Sequence, residues 1–147
     1  MTRHDDLLFS ETDAEMLSAL VDARGRLSRP EAEAADALAG ELIGARVVPD
    51  EALPADRVAM RSRVAYREEP GGVRRTVTLV HPSLADSGAS RISVFSPVGR
   101  ALLGRTSGTT AEIAVPGGRS LTLRVIEVAG REARPRGAGF MGDSRLP

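Results

Sequence analysis

The sequence predicts an α+β fold in which a short antiparallel helical hairpin, in effect a short coiled coil, precedes an antiparallel sheet carrying one short helix. Three observations carry that prediction. Apolar residues recur with a helical period as far as Gly44 and with a period of two from Ser62 onward. Between them "GARVVPDEALP" holds Pro49 and Pro54 and reads as an aperiodic linker. The charge changes sign at the same place: residues 1–56 hold 13 acids and 5 arginines, residues 57–147 hold 7 acids and 15 arginines, and the net charge is zero. A chain of 147 residues has room for one ordinary domain and an appendage. The expected division is a hairpin at 1–46, a sheet domain at 53–129 and a flexible tail at 130–147, rich in Gly, Pro and Arg.

The first helix is expected to start at Ser10, with Asp13 three residues on; Thr12 with Glu15 offers the alternative start. Met16, Leu17, Leu20 and Val21 form its apolar stripe, and Gly25 stands where a C′ residue would end it. In "SRPE" Ser28 is placed to cap a second helix, with Glu31 reaching back to it. Ala35, Leu38, Ala39 and Leu42 make one face, Gly40 interrupts it at a cost of ~1 kcal/mol relative to alanine, and Gly44 closes it. So short a link makes the helices antiparallel. The tip, "ARGRLSRPE", carries Arg24, Arg26 and Arg29.

Four segments beyond the linker alternate: around Val64 and Tyr66, Val77 and Leu79, Ile92 and Val94, and Leu121, Leu123 and Val125. Pro70-Gly71-Gly72 and Pro116-Gly117-Gly118 each join neighbouring antiparallel strands, proline fixing φ and glycine supplying φ > 0. Neither opens a predicted helix, so turn chemistry explains them better than a phosphate cradle. "RISVFSPVGRALLG" changes period at a proline. A strand ending at Phe95 runs into Ser96 as N-cap and Pro97 at N1, where its missing N–H costs nothing, and Gly104 stops a helix of under two turns.

Little else in the sequence points to chemistry. The absence of cysteine excludes disulfides and thiolate metal sites and fits a reducing compartment. The acidic first thirty residues are no signal peptide and no apolar run approaches the roughly 20 residues a spanning helix needs, so a soluble cytoplasmic protein is expected. His4 and His81 are the only histidines and lie apart, and the serines lack a nucleophile motif.

Taken together, "LPADRVAMRSRVAYRE", "SPVGRALLG" and "PGGRSLTLRVIEV" resemble the C-terminal domain of the Gre family of bacterial transcription factors. Within it, a branch named for regulation of a nucleoside diphosphate kinase shares Ser62-Arg63-Val64, Thr78-Leu79-Val80-His81-Pro82, Ser93-Val94 and the run from Pro97 to Gly104. The resemblance is close over residues 53–129 and extends to the hairpin only in position and length.

That resemblance implies an FKBP-like sheet domain and RNA polymerase core as partner, with the hairpin pointing into the secondary channel. It implies docking through Phe95, Ser96, Pro97, Val98 and Arg100, with Phe95 to Pro97 exposed, although Gre factors often carry an acid where Phe95 stands. Gre factors hold Mg²⁺ with acids at the hairpin tip to promote transcript cleavage. Here that tip is Arg24, Arg26 and Arg29 with Glu31 as the nearby acid, so no metal, no cofactor and no catalysis are expected. About 15 residues of helix also reach only ~22 Å. Nucleic acid enters as a neighbour through the polymerase; neither a membrane nor a small-molecule substrate is expected. Two alternatives stand beside this reading: direct binding to nucleoside diphosphate kinase, and an FKBP-like prolyl isomerase. For the latter, only Tyr66 and Phe95 supply aromatic rings in the domain.

Overall fold

The computed structural model describes residues 7–115 and 117–131. His4, Pro116 and residues 132–147 of the expected tail therefore lie outside the described residues.

The hairpin starts and turns where its polar residues dictate. β1 (Leu8–Ser10) delivers Ser10 as N-cap of α1 (Glu11–Asp22), its hydroxyl accepting the Asp13 N–H at 3.1 Å. Gly25 is not a left-handed C′ residue, because α1 ends at Ala23 and Arg24–Arg26 form a 3₁₀ turn. α2 (Arg29–Gly44) opens with the full reciprocal box, Ser28 and Glu31 each accepting the other's backbone N–H, at 3.4 and 3.3 Å. The two helices place Leu17, Leu20, Ala34, Ala35 and Leu38 in the core.

The segment expected to be a linker is instead built onto the hairpin. β2 (Arg46–Val48) pairs in parallel with β1, Phe9 opposite Val47. A 3₁₀ turn at Asp50–Ala52 follows, and the Asp50 carboxylate accepts the backbone N–H of Thr12 at 3.0 Å and also its hydroxyl. Three-residue strands leave no periodicity to read, and their partners lie 38 residues apart in the chain.

The sheet contains β3 (Ser62–Glu69), β4 (Arg74–Val80), β5 (Arg91–Ser93), β6 (Thr110–Val115) and β7 (Arg119–Arg131), in the order β5-β4-β3-β7-β6. Both glycine turns join antiparallel neighbours as expected, with φ of +75° at Gly71 and +92° at Gly117. One edge departs from the expected antiparallel pattern: β5 pairs in parallel with β4, reached through 3₁₀ turns at Pro82–Leu84 and Ser87–Ala89. β7 continues through Gly130 and Arg131, residues expected to open the tail, with two register shifts against β3.

One face of this sheet is apolar. Val64, Tyr66, Val77, Leu79, Leu123 and Val125 join Val94, Ala101, Leu102 and Leu103 and the hairpin residues in a single buried cluster. Hairpin and sheet thus share a core. Gly104 sits at the seam with φ +82°, and a Cβ there would lie 2.5 Å from the Phe9 ring. Its carbonyl accepts from Leu8 N–H and from Arg57 Nη1, at 3.3 and 2.8 Å.

Candidate docking surface

The Ser-Pro corner is over-determined by short-range bonds. The chain leaves β5 at Ser93, two residues earlier than expected, and α3 spans Pro97–Leu102 with Ser96 as its N-cap. The Ser96 hydroxyl accepts from Gly99 N–H at 3.0 Å and donates to the Ser93 carbonyl at 2.7 Å, while its N–H donates to that carbonyl at 2.9 Å. Phe95 N–H donates to the Ser93 hydroxyl at 2.9 Å, and Arg100 Nη1 reaches back to the Phe95 carbonyl at 2.7 Å. Gly99 has to be glycine: a Cβ there would lie 2.3 Å from the Ser93 carbonyl oxygen and 3.0 Å from Leu79 Cδ1.

Exposure corrects one expectation. Phe95 is only 8% exposed and belongs to the core cluster. Alternation down β5 fails here because the tight corner turns both Val94 and Phe95 inward. What the corner offers outward is Pro97, with Ser96, Val98 and Arg100 half-buried. Tyr66 is buried as well, so neither aromatic ring of the sheet domain forms the wall of an open pocket.

A cleft of about 250 Å³ adjoins the corner, lined by Ala37 and Glu41 of α2, Pro97 and Arg100 of α3, and Glu112 and Ile113 of β6, among others. The sequence gives no sign of it, since three elements distant in the chain make it.

At the hairpin tip Arg24, Arg26 and Arg29 are all exposed. Glu31 is not their only acidic neighbour. Asp36 lies 3.4 Å from Arg24 Nε and Glu33 lies 3.6 Å from Arg29 Nε, because the antiparallel packing and the i,i+4 spacing bring them there. Both pairs are solvent-exposed and contribute little. Among the described residues no group of three acids or histidines converges to hold a metal ion. His81 is structural: its Nδ1 accepts the Ser83 N–H at 3.1 Å, and burial pushes its pKa down. No described helix is long and apolar enough to cross a membrane.

Sequence reasoning also missed Asp13. It is buried, its carboxylate accepts the Met60 N–H at 2.9 Å, and burial raises its pKa against the pull of that bond. The signal was present, since Asp13, Leu17 and Leu20 lie on one helix face.

A short helical hairpin sharing a core with a curled sheet that bears a capped Ser-Pro corner defines the architecture of a bacterial elongation-factor-like protein. The family model described as "Transcription elongation factor, GreA/GreB, C-term" matches residues 53–130, and the chain belongs to that family. It is 35% identical over 133 residues to the "Regulator of nucleoside diphosphate kinase" of Escherichia coli strain K12, covering 90% of this chain and 93% of that protein. It is 40% identical over 84 residues to "Transcription elongation factor GreA" of Christiangramia forsetii, covering 57% of this chain and 52% of that one. Among solved structures it is similar to "Prokaryotic transcription elongation factor GreA/GreB from Nitrosomonas europaea", with a TM-score of 0.67, 38% identity, and coverage of 84% of this chain and 98% of that one.

Proposed function

We propose that this protein is a non-catalytic regulator that binds RNA polymerase core, docks beside the secondary channel through Ser96, Pro97, Val98 and Arg100, and does not stimulate transcript cleavage. The observation that carries the reading is the capped corner, which lies inside the family match. Its loop is held by five hydrogen bonds of its own, so a partner meets Pro97 without an ordering cost. The expectation of no catalysis rests on the tip, where the nearby acids Asp36 and Glu33 are engaged by Arg24 and Arg29 instead of converging as a carboxylate pair for the Mg²⁺ that cleavage requires. Phe95 supports the corner from within rather than touching a partner.

Competition with a Gre factor tests this reading. Added to backtracked polymerase complexes, the protein should suppress Gre-stimulated cleavage in proportion to its concentration and stimulate none itself. Unchanged Gre activity at saturating protein rejects docking at the channel.

A second reading is direct binding to nucleoside diphosphate kinase, favoured by the name of the Escherichia coli relative. A pull-down with purified kinase and purified core polymerase separates the two.

A further inference from the structure

On the opposite face of the five-stranded sheet Ala65, Thr78 and Val80 are buried, and the exposed remainder is polar, its charges ordered by register. Arg67 of β3 stands opposite Arg74 of β4 and opposite Arg124 of β7, a row of three arginines across three adjacent strands. On the same face Thr78 stands opposite Arg63 on one side and Arg91 on the other. Like charges directly opposed across strands are destabilising. The fold compensates in part. Glu69 bridges Arg67 and Arg124 at 3.0 and 3.3 Å, and Glu127 accepts from Arg74 at 3.1 Å, a bridge that passes over the small Ala65 of β3. With Glu112, and with Asp86 opposite Arg91, the described residues of this face carry four acids against five arginines, leaving it positive by one charge.

The bridges leave donors to spare. Arg67 commits Nε and Nη2, Arg74 commits Nη2, and Arg124 commits Nε and Nη1. A guanidinium has five N–H donors in a planar fork that matches a phosphate. Thr76 and Thr122 lie among the arginines on this face. Among the described residues no aromatic does, since Tyr66 points into the core.

We propose that this polar sheet face is a binding surface for the phosphodiester backbone of nucleic acid. From β5 to β7 it spans about 15 Å at the usual strand spacing, enough for several consecutive phosphates. Without rings to stack on, it reads backbone charge and not base sequence. The proposal concerns the isolated protein and does not depend on polymerase docking.

Fluorescence anisotropy of the full chain at about 50 mM salt, with no polymerase present, tests it. The probes are a labelled oligouridylate of roughly 20 nucleotides and a duplex DNA of the same length; their relative affinities tell whether single-stranded RNA or duplex is preferred. Binding of at least one probe is expected, weakening steeply with added salt. Arg63→Glu with Arg74→Glu, both exposed positions, should weaken binding about tenfold or more and flatten the salt slope. Glu112→Gln with Glu127→Gln, which removes two negative charges from the face and the ion pair that holds Arg74, should strengthen it. Arg24→Glu with Arg26→Glu reverses the same number of charges at the hairpin tip and should change little. An equal loss in the tip variant overturns the proposal in favour of net charge alone, and so does failure of both probes to bind the wild type. Self-association of the wild type that is abolished by the Arg63 and Arg74 reversals, with no binding to either probe, would assign the face to a second copy instead.

Discussion

The carboxylate of Asp13, three residues into α1, accepts the backbone N–H of Met60 at 2.9 Å, and both residues are buried. This bond ties the hairpin to the segment that leads into β3, across 47 residues of chain. It works beside the shared apolar core rather than in place of it. A buried N–H at this position needs an acceptor, and Asp13 is the one the fold supplies.

The same burial makes stability depend on pH. Desolvation raises the Asp13 pKa above its ordinary 3.8, with the Met60 bond and then Arg131 and Arg61 opposing. An acid whose folded pKa is raised holds a proton that the unfolded chain releases. Stability therefore falls as pH rises from about 3.8 to the folded value, and the loss persists above it. Asp13→Asn keeps an oxygen for Met60 N–H without the charge. Urea unfolding across a pH series should show a flatter profile for this variant and equal or greater stability at neutral pH. Asp13→Ala, which orphans the Met60 N–H, should cost about 1–3 kcal/mol. A steeper profile for Asp13→Asn contradicts the argument.

Ser96→Arg combined with Pro97→Gly removes the cap and loosens the corner. The lost cap costs ~1 kcal/mol, so thermal unfolding should remain cooperative with a midpoint only a few degrees lower. Affinity for core polymerase, measured by titration of the same variant, should be lost. Full affinity in a folded variant would leave the corner as a plain connection between β5 and α3.

Gly99→Ala tests the packing beneath that corner. A Cβ placed 2.3 Å from the Ser93 carbonyl oxygen forces the start of α3 away from β5. The expected cost is about 1–3 kcal/mol in denaturant unfolding. Gly25→Ala, where a Cβ meets nothing within 4 Å, is the matched control and should be close to neutral. Equal effects at the two sites would contradict the close approach.

Placing carboxylates at the tip by Arg26→Asp with Leu27→Glu should not produce transcript cleavage. α1 has 12 residues and α2 has 16, so the arm is only about 18–24 Å long at 1.5 Å per residue, and part of it is buried against the sheet domain. Cleavage assays on backtracked complexes across a Mg²⁺ series measure this. Robust stimulation by the variant would show that reach is not limiting.

What the sequence by itself determined is what adjacent residues settle among themselves. Ser10, Ser28 and Ser96 cap the helices that follow them, the two glycine turns join antiparallel strands, and the motifs carrying the family resemblance are short contiguous runs of chain. Each of these needs only a few neighbouring residues. The tertiary structure alone decided the pairings that span the chain. β1 and β2 form a parallel pair across the hairpin, too short for any period to announce them. β5 lies parallel to β4, a choice made by the two 3₁₀ turns between them. Phe95 turns inward although its place in the strand pattern left it free to face solvent. The arginine row on the sheet face exists only because register sets Arg67 between Arg74 and Arg124. These features depend on which distant segment a strand or side chain meets, and burial of the shared core, which involves hairpin and sheet together, fixes that.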